Sequence, residues 1–238
     1  MKTALLLIGV ACGFGLPALA VDAPPRGNLL ELHSCELYAG GCIVSSQATL
    51  EGRYMVRAWN FTGGEFAGAP FAGLRLAVLQ SSSDNLAATQ ANPGQAVVYL
   101  PAETTPVQHQ ALMAWLKSQQ PGLRNSSLQT RIVPLKFGQD EKGYTFTAGN
   151  FLEIKSGPIE ACETGACGQA LWYTPRSAVS LFTVAIDRSS KVIEPLLQLK
   201  WIDAGTPSLF LAKFGEPAPA KDLYVTISDL CGSGNRLF

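Results

Sequence analysis

The sequence predicts an α+β fold: a mostly antiparallel, sandwich-like β-sheet with one well-capped helix over 106–119. Three observations carry that prediction. Short apolar or alternating runs, bounded by Gly, Ser, Asn and Pro, recur along most of the chain, as they do in strand-rich proteins. Complete helix punctuation is found in a single segment, at Thr105-Pro106-Val107-Gln108. Hydrophobic residues make up 47% of the chain and charged residues 15%, so there is enough apolar surface for a sizeable core and too little charge for disorder.

In chain order, residues 1–20 have the outline of a signal peptide. Lys2 supplies the positive start, an apolar run follows, and Ala18-Leu19-Ala20 is a small-x-small cleavage pattern after Pro17. A lipoprotein reading would acylate Cys12, but Gly9 stands where a leucine is expected and the apolar run continues to Leu19. The expectation is an exported protein, periplasmic or extracellular, with no membrane span. Residues 21–28 (VDAPPRGN) read as a mobile leader, and 29–238 as one β-rich domain, with a division into two subdomains near 122–130 as the variant.

The strand candidates are GRYMVRAWNF (52–61), LRLAVLQ (74–80), QAVVYL (95–100), ALWYT (170–174), AVSLFTVAID (178–187), LQLKWID (197–203), LFLAKFG (209–215) and DLYVTIS (222–228). Phe182, Val184 and Ile186 recur at period two, the mark of a half-buried strand. Residues 143–157 form a hairpin pattern, with Tyr144 and Phe146 before a Gly149-Asn150 turn and Leu152 and Ile154 after it. In the helix, Thr105 takes the N-cap, Pro106 the first helical position and Gln108 the reciprocal capping-box position. Val107, Ala111, Leu112, Trp115 and Leu116 then share a stripe, and Pro121-Gly122 stops the element.

The segments CELYAGGCIVSSQATLEGRYMVRAWNF, GLRLAVLQSSSDNLA, AVVYLP and QHQALMAWL resemble a bacterial family catalogued as domain of unknown function 1326. The resemblance runs from about Leu29 to Cys231 and is densest before Gly122. It implies an exported bacterial protein and brings no activity with it. Family members often carry denser N-terminal cysteine clusters, where this chain keeps only Cys35 and Cys42.

Cysteines are the main chemical candidates. Loss of residues 1–20 leaves Cys35, Cys42, Cys162, Cys167 and Cys231. In an oxidising compartment, close cysteines end as disulfides. Bridges Cys35–Cys42 and Cys162–Cys167 would close glycine-containing loops, each worth roughly 2–2.5 kcal/mol by chain entropy. The rival reading is a soft-metal site for copper or zinc, with His33, Cys35, Cys42, Cys162 and Cys167 as ligands. A third is thiol–disulfide exchange at Cys162 and Cys167. Those two lack a Cys-x-x-Cys at a helix start, and Glu160 and Glu163 would raise the Cys162 thiol. A fourth is a structural or interaction module. The reading taken forward is a disulfide-stabilised binding or accessory protein whose partner is a metal ion or another protein.

Other chemistries find less support. The 18 basic side chains balance 18 acidic ones, which disfavours nucleic acid and anionic membranes as partners. There is no P-loop, no Gly-x-Gly-x-x-Gly fingerprint and no Gly-x-Ser-x-Gly elbow. His109 sits at a helix edge, and Asp140-Glu141, Asp187 and Asp203 fall at strand ends and turns, where solvated carboxylates are expected. Trp59, Trp115, Trp172 and Trp201 read as core packing rather than a sugar platform.

Overall fold

A computed structural model describes residues 23–39, 52–86, 94–120, 123, 127–141, 143–159, 170–171 and 174–216. The strands are β1 (Arg26–His33), β2 (Tyr38–Ala39), β3 (Tyr54–Gly63), β4 (Glu65–Phe66), β5 (Ala69–Pro70), β6 (Arg75–Ser81) and β7 (Gln95–Pro101). Helix α1 (Pro106–Gln119) follows, then β8 (Ser127–Val133), β9 (Leu135–Asp140), β10 (Gly143–Ala148), β11 (Leu152–Gly157) and β12 (Ala170–Leu171). Last come β13 (Leu181–Glu194), β14 (Leu199–Asp203) and β15 (Thr206–Phe214). The candidate strand at 222–228 and Trp172 lie outside the described residues.

The helix forms as its punctuation predicts. The Thr105 hydroxyl accepts the Gln108 backbone N–H, while the Gln108 side-chain oxygen accepts the Thr105 N–H. Ala111, Leu112, Trp115 and Leu116 are buried, but Val107, placed on the same stripe by its spacing, is 65% exposed. No helix among the described residues is long and apolar enough to cross a membrane.

Ten strands run in the order β8-β7-β6-β3-β1-β15-β13-β11-β10-β9, and β14 adds to β13 to make an 11-stranded sheet. Strands on both sides of 122–130 belong to it. All its pairings are antiparallel except β7–β8, which α1 connects as a crossover. The outermost members of the order, β8 and β9, are separated in sequence by Pro134 alone. Two sheet ends one residue apart require the sheet to curl until they meet. Leu135 at the start of β9 accordingly shares a core with Val97 and Tyr99 of β7.

The sandwich expectation is therefore corrected: this is one sheet, nearly closed into a barrel. Period-two patterning says that a face is buried, and it does not say whether another sheet or the far side of the same sheet covers it. Inside lie Leu30, Leu32, Val56, Ala77, Leu79, Val97, Tyr99, Phe146, Ile154, Val192 and Leu209, drawn from strands all round the barrel. The opposite parity of β1, β3, β6 and β7 contributes Leu29, Trp59, Phe61, Leu76, Val78 and Val98 to a second core under α1. With both faces covered, β6 and β7 are continuous apolar runs rather than alternating ones.

The stretch expected to be leader joins this architecture from Arg26, the first residue of β1. Just before it, Pro24 and Pro25 lie so close to Gly64 and Gly215 that a Cβ on either glycine would meet their carbonyl oxygens at 2.3 and 2.2 Å. Both glycines also have positive φ, +95° and +72°, so backbone approach and backbone conformation each call for glycine there.

Candidate functional site

The helix does not cover the whole outer face. Beyond its C-terminal end is a cavity of about 490 Å³, a size suited to a small organic molecule. Trp59 from β3, Trp115 from α1, Phe66 from β4 and Phe214 from β15 line it. Pro24 and Pro25 form one margin, Ser177 and Ala178 another, and Glu65, Gln119 and Gln120 supply polar groups.

Ring contacts fix the aromatic wall. Trp115 meets Trp59 edge-on with centroids 5.7 Å apart and planes at 85°, and Phe61 similarly at 4.8 Å and 81°. Phe214 lies 5.8 Å from Trp115. Each ring is held by at least one other, so the wall is preorganised. The expectation that Trp59 and Trp115 serve the core holds, and the same two side chains also border the cavity.

Behind the cavity runs a chain of buried polar residues. Arg57 donates to the side-chain oxygens of Gln120 and of Gln80, the latter at 3.2 Å. Gln120 Nε2 donates to Ser177 Oγ at 3.3 Å, and the Arg176 backbone N–H donates to Glu31 Oε1 at 2.8 Å. His33 Nε2 lies 2.9 Å from the same Glu31 oxygen. Burial pushes the Glu31 carboxyl up, but His33, Arg57 and the Arg176 N–H together hold it below its ordinary value. Burial lowers Arg57 to about 10, against the opposing pull of Glu31 and with Arg176 adding to the lowering. Glu31 thus remains anionic and Arg57 cationic near neutral pH, each offsetting the other in a site both would otherwise be costly to occupy.

A second buried carboxylate ties the barrel together. Glu194 on β13 accepts Arg131 Nε at 2.8 Å and Nη2 at 2.7 Å, the Tyr99 hydroxyl at 2.7 Å and the Leu196 N–H at 2.9 Å. Burial raises the Tyr99 hydroxyl, and its bond to Glu194 raises it further. Arg131 also stacks over Phe151, 4.1 Å from the ring centroid. All of Glu194's neighbours are satisfied, which marks the cluster as a structural clasp rather than a reactive centre.

Asp187 differs from both. It is fully buried beside bulges in β11 and β13, and neither carboxylate oxygen has a hydrogen bond of good geometry among the described residues. Burial pushes it up to about 7; Ser190 and the Ser189 backbone offset this weakly, and the nearby Asp203 adds to it. The expectation of a solvated carboxylate at a strand end is corrected here, because β13 continues past Asp187 to Glu194.

His33 is buried at the end of β1, hydrogen-bonded to Glu31 and edge-on to Phe210 at 5.8 Å. Cys35 is buried in a small apolar cluster with Leu37 and Phe210. Cys42, Cys162, Cys167 and Cys231 lie outside the described residues. Among the described residues Cys35 is the one cysteine, so they contain no disulfide pair, and no group of three or more His, Cys, Asp or Glu side chains could hold a metal ion. The disulfide-stabilised, copper- or zinc-binding reading is accordingly withdrawn, along with a metal ion as partner. Its physical weakness is that His33 is already engaged by a carboxylate inside the core, where an incoming ion would have to displace a charge-assisted bond. His109, expected at a helix edge, has its Nε2 2.8 Å from the Pro101 carbonyl oxygen.

Sequence reasoning passed over Glu31, Arg57, Gln120 and Glu65. Glu31 and Arg57 did carry a signal, since each interrupts an otherwise apolar strand in phase with core residues. No protein family, characterised protein or solved structure matches the chain.

Proposed function

We propose that the chain is an exported binding module that accepts a small, largely apolar molecule in the cavity between the end of α1, β3–β4 and residues 177–178. The carrying observation is about 490 Å³ of space lined by Trp59, Phe66, Trp115 and Phe214 together with the polar side chains of Glu65, Gln119, Gln120 and Ser177. Apolar pockets with a few convergent polar groups are how proteins hold small ligands. The interior of the barrel is filled by Tyr99, Phe146 and their aliphatic neighbours, so the outer cavity is the favoured seat. The apolar run and small-x-small pattern of residues 1–20 support export.

The test is titration with the uncharged fluorophore N-phenylnaphthylamine, which brightens on leaving water. Saturable one-to-one binding is expected. Ala178→Trp should abolish it, because Ala178 is exposed at the cavity margin and an indole there fills the opening without disturbing the core. Absence of saturation, or full binding by a folded Ala178→Trp protein, refutes the reading.

A further inference from the structure

We propose that the molecule this cavity takes is an organic cation: an ammonium group on an apolar body, with the charge set against Glu65. The inference rests on the binding reading above and narrows its ligand class.

Charge comes first. Among the described residues, Glu65 is the one charged side chain lining the cavity. It is half-buried, and its carboxylate makes no ion pair or hydrogen bond with any described residue. Arg26, whose guanidinium lies against Gly63, is not paired with it. Arg57 stands outside the lining, occupied by Gln80 and Gln120 and offset by Glu31. An anionic ligand would therefore face an uncompensated carboxylate, and a neutral one would desolvate that carboxylate without replacing its water.

The position of Glu65 is also fixed. Its backbone N–H donates to the Ala23 carbonyl at 2.8 Å, and β4 pairs it with Pro70. Gly64, immediately before it, is pressed against Pro24. The carboxylate is thus delivered by ordered backbone and not by a loose loop.

Trp59 and Trp115 pack edge to face at 85°, and both border the cavity with Phe66 and Phe214. Aromatic side chains beside a carboxylate are the elements that hold ammonium groups, through the ring quadrupoles and the anionic charge together.

A matched ligand series separates this inference from its premise. Tryptamine, tryptophol and indole acetate share an indole body and differ in carrying a cation, a neutral hydroxyl or an anion. By isothermal titration calorimetry on the protein, tryptamine should bind about tenfold or more tightly than tryptophol, with indole acetate weakest. Glu65→Gln should weaken tryptamine by a similar factor and leave tryptophol nearly unchanged, with circular dichroism confirming the fold. Equal binding of tryptamine and tryptophol would overturn the cation inference while N-phenylnaphthylamine binding still upholds the pocket. Tight tryptamine binding indifferent to Glu65→Gln would overturn it as well. Failure of all three ligands and of N-phenylnaphthylamine would remove both readings.

Discussion

Replacing Glu194 by alanine should be among the most destabilising single changes available to this fold. The side chain is fully buried and accepts four hydrogen bonds, two from Arg131 and one each from the Tyr99 hydroxyl and the Leu196 N–H. Removing one partner of a buried ion pair costs about 3–5 kcal/mol. Two structural facts adjust that figure in opposite directions. The Arg131 side chain is 23% exposed and can recover some hydration, whereas the buried Tyr99 hydroxyl is orphaned at a cost of about 1–3 kcal/mol. The two adjustments roughly cancel, so a loss of about 3–5 kcal/mol is expected, or roughly 6–20 °C in Tm for a chain of this size. The assay is urea denaturation with unchanged m-value, because the clasp joins β7 and β8 to β13 across the barrel and should fail with the whole. A second readout is pH. Burial raises Glu194 but Arg131, the Leu196 N–H and Tyr99 outweigh it, leaving the carboxyl below its ordinary value. Its contribution is therefore present above the unfolded carboxylate range and lost as pH falls through the lower folded value; Glu194→Gln should flatten that acid limb. A loss below about 1 kcal/mol in Glu194→Ala would refute the clasp.

Asp187 should act with the opposite sign. Its folded value, pushed up to about 7 from 3.8, means that its stabilising contribution is complete below the unfolded value and is lost as pH rises through about 7. Asp187→Asn should therefore raise stability at about pH 8.5 and remove the difference between that pH and about pH 5, as read by urea denaturation; an unchanged slope would place the titration elsewhere. Thr105→Ala removes the cap of α1 and should cost about 1 kcal/mol. Gln108→Ala should cost less, since it removes only the return arm of the box, and reversal of that order by thermal melts would contradict the cap geometry.

Local signals in the sequence were honoured where local physics decides. The cap at Thr105 and the turn after Ala148 needed no distant partner, and both are where their residues placed them. What stayed hidden is set by partners far away in the chain. Strand β1 pairs with β15, more than 170 residues later, as Leu30 opposite Leu211 shows, and nothing within either segment announces the other. Barrel closure depends on that pairing and on the single-residue step at Pro134, so alternating strands alone were compatible with a sandwich. The candidate site was less legible still. Charged side chains are read as solvated by default, and Glu31, Arg57, Asp187 and Glu194 are all buried here. Glu65 carries no local pattern at all, and only the approach of Pro24–Pro25 and the end of α1 gives it a cavity.

The placement of that cavity follows from how the helix ends. Gln120 caps α1 in a non-helical conformation, with its N–H still donating to the Leu116 carbonyl at 2.9 Å. Its side chain reaches down to Arg57 on β3 and across to Ser177, so the last helical turn is pinned to the sheet at that point. Arg57 is retained as a buried charge because Glu31, two strand positions from the apolar Leu29 on the same face, sits near enough to offset it. An apolar residue at position 57 would leave the Gln120 side-chain oxygen without its Arg57 donor. The polar chain from His33 to Ser177 is thus best understood as the support of the cavity wall: it costs desolvation, and in return it fixes where the helix stops and where the space beside Trp115 begins.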